Sequence, residues 1–145
     1  MSRLAVGSDH AGFRAKEKIR RLLEERGLSV RDFGTDGEAS VDYPDIGFAL
    51  AEAVSRGEVD RGILVCGSGV GMSVVANRVP GVRAALVTDP AAAAQSRAHV
   101  DANVLVLPGR PEPPSLEEIV TAWLETPFEG GRHAARLKKI EERRR

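Results

Sequence analysis

The only cysteine of the chain stands in the stretch Gly62-Ile63-Leu64-Val65-Cys66-Gly67-Ser68-Gly69-Val70-Gly71-Met72-Ser73. A glycine at every second position after it lets the backbone turn sharply and direct N–H groups toward whatever lies above. A helix beginning near Gly71 adds the positive end of its dipole. This combination suits proton abstraction by a thiolate, with nearby donors holding the oxyanion that forms when the proton leaves the adjacent carbon. Ser68 is either a further donor to that oxygen or a plain turn serine. A lone cysteine at a strand end is more often a small core residue than a base, so both readings remain open for Cys66. The glycines do not make a dinucleotide fingerprint, since their spacing is G-x-G-x-G and they follow the third strand. They do not make a P-loop either, since no Lys-Ser/Thr pair follows.

The other candidates are histidines, an aspartate and arginines. Asp9 and His10 follow the first strand; Asp9 is a natural helix cap, and a charged His10 at a helix start calls for a bound anion. His99 ends an alanine-rich helix, where a cation is electrostatically welcome. It is either a helix-terminus histidine or a proton donor and acceptor over the strand edge. Arg132 and Arg136, four residues apart, share one helix face; two guanidinium groups so placed suit a phosphate, and a solvated charged helix is the alternative.

Five strands are predicted to position these groups: Leu4–Val6, Leu28–Phe33, Gly62–Cys66, Arg83–Val87 and Asn103–Leu107. Ile63-Leu64-Val65 lacks polar alternation, as expected of a strand buried on both faces. Helices are predicted over 12–26, from Tyr43-Pro44 to about Gly57, over 70–77, and from the Asp89-Pro90 start to about His99. Two more run from the Ser115-x-x-Glu118 capping box to about Glu125, and from Gly131 to the C-terminus. Strands alternating with helices define an α/β chain. The expectation is one domain over residues 1–145, a three-layer α/β/α Rossmann-like sandwich around a five-stranded parallel sheet. Ligands of such folds lie at the carboxyl ends of the strands, where Asp9, His10, Cys66 to Gly71 and Arg110 fall. The last helix has few apolar positions, mainly Leu137 and Ile140, so it is expected to pack on a partner subunit and carry its arginines there.

Composition narrows the function classes. Among 145 residues, 21 Lys+Arg balance 21 Asp+Glu, which points to neither nucleic acid nor an anionic membrane. One cysteine excludes an internal disulfide framework and a cysteine-based zinc cluster. The N-terminus shows no signal peptide and the chain no membrane-length apolar run, so a cytoplasmic protein is expected. Aromatic residues, at 4%, are too few for a base-stacking platform.

Taken in order, Gly7-Ser8-Asp9-His10-Ala11-Gly12, Asp42-Tyr43-Pro44, the Gly62–Gly71 stretch, Asn77-Arg78, Ser96-Arg97-Ala98-His99, Asn103-Val104-Leu105 and Glu129-Gly130-Gly131-Arg132-His133 span the chain. This set strongly resembles the type B ribose-5-phosphate isomerases, a family that includes galactose- and allose-6-phosphate isomerases. The resemblance implies cofactor- and metal-free aldose–ketose isomerisation of a sugar phosphate through a cis-enediolate. By that resemblance Cys66 is the base, and Gly67, Ser68, Gly69, Val70 and Gly71 hold the enediolate oxygens, with Ser68 also counted as catalytic. His99 helps open the furanose ring, Asp9 assists at a hydroxyl and Tyr43 lines the pocket. His10, Arg132 and Arg136 bind the phosphate, with Arg110 nearby. The resemblance further implies a homodimer with shared active sites, or a tetramer built from it.

The chain departs from the family pattern at two positions. Ser68 replaces a common threonine but keeps the hydroxyl. Val100 replaces an asparagine that contacts the sugar, which keeps a six-carbon sugar phosphate open beside ribose 5-phosphate. A phosphosugar-binding module without catalysis is the alternative of another class, disfavoured because binding alone needs no base at Cys66.

Overall fold

The computed structural model describes residues 2–143. Five strands, β1 (Leu4–Ser8), β2 (Val30–Asp32), β3 (Arg61–Cys66), β4 (Ala84–Leu86) and β5 (Val104–Pro108), form one wholly parallel sheet in the order β2-β1-β3-β5-β4. The helices are α1 (Phe13–Glu25), α2 (Tyr43–Ser55), α3 (Val70–Ala76), α4 (Pro90–Val100), α5 (Leu116–Glu125) and α6 (Arg132–Glu141), with a 3-10 turn at His10–Gly12 ahead of α1. The three central strands are apolar at nearly every position and, apart from half-buried Arg61 at the start of β3, buried throughout, as a sheet covered on both faces requires.

The two faces carry separate cores. On one, Ile19 and Leu23 of α1, Ala93 of α4 and Ile119 and Trp123 of α5 meet Leu4, Val6, Ile63, Val65, Leu105 and Leu107. On the other, Leu50, Ala51 and Val54 of α2 and Met72 and Ala76 of α3 meet Ala5, Leu64, Cys66, Val104 and Val106. The α/β/α sandwich is therefore as expected. Cys66, at 4% exposure, lies in the α2–α3 layer, so its core reading and its functional reading describe the same atom.

Several details differ from expectation for local reasons. Strand β2 starts at Val30 rather than Leu28, because Gly27 (φ 76°) closes α1 with a double bond: Gly27 N–H to Glu24 O and Leu28 N–H to Leu23 O. Leu28 thus belongs to the helix stop. Ser115 does not form the capping box; at φ −103° and ψ 35° it lies outside the extended region a capping serine occupies, and its side chain makes no cap bond. Asp89 does cap α4, accepting from Ala92 N–H at 2.8 Å. The final helix runs over Arg132–Glu141, and Arg144 and Arg145 of the longer helix expected there lie outside the described residues.

Buried Lys16 ties α1 to the chain leaving β2. Its Nζ donates to both oxygens of Asp32 at 2.9 Å and to Thr35 O. That anchors the start of the segment that later reaches His10. No described helix is long and apolar enough to cross a membrane.

Candidate active site

Parallel topology sends each strand's carboxyl end to the same edge, and there the loops after β1, β3 and β5 are stitched together. Asp9 N–H donates to Val65 O, and the N–H groups of Gly109 and Arg110 donate to Gly67 O at 3.1 and 3.0 Å. Asp9 is buried and its Oδ1 accepts from Gly12 N–H at 3.0 Å, so the capping reading holds for the 3-10 turn. His10 Nδ1 accepts from Val41 N–H at 3.2 Å. In the neutral ring this leaves Nε2 as the nitrogen bearing hydrogen, a donor suited to an anion.

The glycine loop over Cys66 has reasons for its composition. Gly69 is the residue before α3 and takes φ 81°, a left-handed conformation; a Cβ there would meet Leu86 Cδ1 at 2.5 Å and the Leu107 carbonyl carbon at 3.2 Å. At Gly71 a Cβ would fall 2.6 Å from Tyr43 Cε1, so the absent side chain admits the tyrosine ring against the start of α3. Ser68 is exposed, and its Oγ accepts from Val70 N–H at 3.2 Å, which leaves the hydroxyl hydrogen available to a ligand. The first amides of α3, as at every helix start, lack intrahelical acceptors. Gly71→Ala is expected to displace Tyr43, costing about 1–3 kcal/mol by overpacking. Thermal unfolding should show a lowered midpoint, with KM raised more than kcat is reduced.

The exposed guanidinium of Arg110 completes this edge. It lies close enough to Glu38 to help hold that carboxyl below its usual range, after the larger effect of Arg14, which hydrogen-bonds Glu38 at 2.7 Å. Asp9, His10, Tyr43, Cys66, Gly67 to Gly71 and Arg110 therefore gather at one edge.

His99, Val100, Arg132 and Arg136 do not join them. Helix α4 runs back from the carboxyl ends of the strands to the edge where β5 begins. There Gly62 N–H donates to Asn103 O, and Arg83 Nε donates to the carbonyl oxygens of Val100 and Asp101. His99 is consequently near the start of β3 while Cys66 ends it, and six strand residues separate those levels by about 17 Å. His99, expected to act over a strand edge, therefore does not lie over the Cys66 edge of its own chain.

At the second edge His99 stacks on His133, with ring centroids 4.3 Å apart and planes inclined by 10°. Glu129 Oε1 is 3.7 Å from His99 Nε2 and 3.6 Å from His133 Nε2. Burial chiefly, then the neighbouring His99 and Arg132, push His133 below the ordinary histidine value, against the opposing effect of Glu129. Arg132 and Arg136 are exposed and pair with no carboxylate among the described residues. Helix α6 rests mainly on α4, with Ile140 57% exposed. Glu129 and His133 were legible only as part of the Glu129–His133 motif, since Glu129 stands in the loop before α6 and reaches the histidines through the turn at Gly130-Gly131.

Two surface hollows of about 300 and 310 Å³ lie elsewhere, one between α1 and β2 and one between α1 and α5. They are lined largely by ion-paired and charged side chains and contain none of the candidate site residues.

A parallel sheet with a thiol, a glycine loop and convergent polar groups at its carboxyl edge defines a Rossmann-like ligand-binding α/β protein. Comparison with known proteins narrows the class: a model of the ribose/galactose isomerase family matches residues 4–140, and the chain belongs to that family. It is an enzyme of the isomerase class. Ribose-5-phosphate isomerase B of Escherichia coli is 45% identical over 97% of this chain and 95% of its own. D-erythrulose-4-phosphate isomerase of Pectobacterium atrosepticum is 42% identical over 97% and 93%. The solved structure of Clostridium thermocellum ribose-5-phosphate isomerase B superposes with a TM-score of 0.93 at 51% identity, covering 97% of this chain and 95% of that one.

Proposed function

We propose that this protein interconverts D-ribose 5-phosphate and D-ribulose 5-phosphate in the cytoplasm, as a single-domain protein working as a homodimer. The observation that carries the reading is a thiol at the carboxyl end of the central strand, beneath a glycine loop whose hydrogen-bonding groups face the same edge. In this mechanism His99 passes a proton to the ring oxygen of the furanose as the C1–O4 bond breaks, and the C1 hydroxyl gives up its own proton to water as it becomes the aldehyde carbonyl. The Cys66 thiolate removes the C2 proton of the open aldose, and the electrons move into a cis-enediolate. Ser68 and the amides of Gly67, Gly69, Val70 and Gly71 hold its oxygens as charge develops. Cys66 returns the proton to C1 while the O2 hydroxyl proton passes to O1, giving the ketose. Asp9 and Tyr43 fix the sugar, while His10, Arg110, Arg132 and Arg136 hold the phosphate.

The separation of residues onto two edges supports a site shared between copies. Cys66, the glycine loop and His10 of one protomer face His99, Arg132 and Arg136 of the other, and two-fold symmetry makes two such sites. The sparse packing of α6 and the exposed apolar side chains on both parts, Val70 and Val74 near one and Val100 and Ile140 near the other, agree with it. Co-expressing Cys66→Ala with His99→Asn chains tests this. Each hybrid dimer holds one intact site, so a statistical mixture recovers about a quarter of wild-type activity. Sites contained within single chains would leave the mixture inactive.

Val100, 39% exposed beside His99, favours weighing a second substrate, a six-carbon sugar phosphate such as allose 6-phosphate, because it offers the sugar no polar contact. The ratio of kcat/KM for ribose 5-phosphate and allose 6-phosphate decides between them. Val100→Asn should shift that ratio toward the pentose by about tenfold if the side chain reads the sugar.

A further inference from the structure

The last turn of α4, the loop 126–131 and the first turn of α6 are laced together. Glu129 N–H donates to Ala98 O at 3.0 Å and His133 N–H to Gly130 O at 3.1 Å. Gly130 and Gly131, at φ 70° and 56°, turn the chain so that α6 begins against α4. The outcome is the stacked pair His99–His133 with one carboxylate oxygen set almost equally from both Nε2 atoms, at distances too long for good hydrogen bonds. Among the described residues none of these three side chains forms a hydrogen bond. Isomerisation as derived above uses His99 and leaves Glu129 and His133 without a task.

We propose that His99, Glu129 and His133 form a site for a divalent transition-metal ion, with Zn²⁺ the best match, and that its occupancy inhibits the enzyme. Two imidazoles and one carboxylate are the donor set of open zinc sites, which keep a fourth position for water. Their ligand atoms all lie within 4.8 Å of one another. Tetrahedral zinc spaces its donors about 3.3 Å apart, so side-chain rotation alone closes the difference. Glu129 is 57% exposed and His99 36%, leaving both free to swing, while His133 at 9% is the fixed ligand. Mg²⁺ and Ca²⁺ prefer oxygen donors and fit poorly. Arg132 and Arg136 stand on the same helix as His133, and their positive charge opposes a bound cation.

The inhibitory half rests on the isomerase reading, because an ion on His99 takes the lone pair that moves the ring-opening proton. The binding half stands independently of turnover. It is tested with zinc chloride alone on the Cys66→Ala protein, which removes the thiol as a competing ligand. Calorimetry should find one ion per chain, and imidazole nitrogen spectra, simple with three histidines, should shift for His99 and His133 but not His10. Glu129→Gln, at an exposed position that keeps its shape, and His133→Gln should each weaken binding by about tenfold or more. Absence of binding below millimolar zinc, a shift of His10 instead, or undiminished affinity in Glu129→Gln overturns the site. In the wild type, zinc should inhibit turnover reversibly with EDTA, and Glu129→Gln should resist. Binding without inhibition overturns the regulatory half while the isomerase assay without zinc remains its own control.

Discussion

Cys66→Ala lowers kcat/KM for ribose 5-phosphate by about 10³-fold or more, and sugar-phosphate binding stays within a few-fold of the wild type. The size follows from the kind of loss. A positioned general base contributes roughly 10²–10⁴-fold, and no other group on the described carboxyl edge replaces it at that strand end. Asp9 is occupied as the cap of the 3-10 turn, and His10 Nδ1 is occupied by Val41 N–H. Binding survives because the phosphate is held by His10 and the arginines, none of which packs through the thiol. Folding survives as well, since removing one sulfur from a well-packed core costs about 1 kcal/mol. Steady-state kinetics beside calorimetric titration of the inert variant separate the two effects. Retained turnover would remove Cys66 from the mechanism, and lost binding with an intact fold would make it a substrate contact instead.

His99→Asn yields a different signature, because ring opening and enolisation are separate steps. Turnover of ribose 5-phosphate falls by about 10²-fold, the ordinary worth of a positioned proton donor. Exchange of the C1 proton of ribulose 5-phosphate with solvent proceeds at close to the wild-type rate. Ribulose 5-phosphate has no furanose to open, since the oxygen that would close one carries the phosphate, and its C1 proton meets Cys66 directly. Exchange followed by NMR in deuterium oxide checks this. If both rates fall together, His99 acts on the enediolate; if neither falls, it is a stacked helix-end histidine and no more. Cys66→Ala must abolish the exchange, so the pair of variants assigns the two steps without reference to each other.

The contrast between these two residues marks what a sequence alone conveys. The apolar run Ile63-Leu64-Val65, the glycines after it and the alternation of strands with helices identify a buried parallel sheet and place Cys66 at its ligand edge. Burial period and turn chemistry are local properties, carried by neighbours in the chain. The direction of α4 is legible too, because a helix joining parallel strands must end where the next strand starts. That rule alone removes His99 from the Cys66 edge of its own chain.

The insertion of β5 between β3 and β4 was decided elsewhere, as were the seating of Tyr43 over Gly71, the bond from Val41 to His10 and the stack of His99 on His133. Each joins residues between 28 and 34 positions apart in the chain or depends on strand order, and no periodicity encodes such pairings. They follow from which faces pack once both cores close. Residue type and spacing thus determined the candidate base, its loop and the family, through local backbone and burial preferences. The Glu129–His133 partnership of His99 came only from tertiary packing, because those side chains meet through the turn at Gly130-Gly131 rather than through their order in the chain.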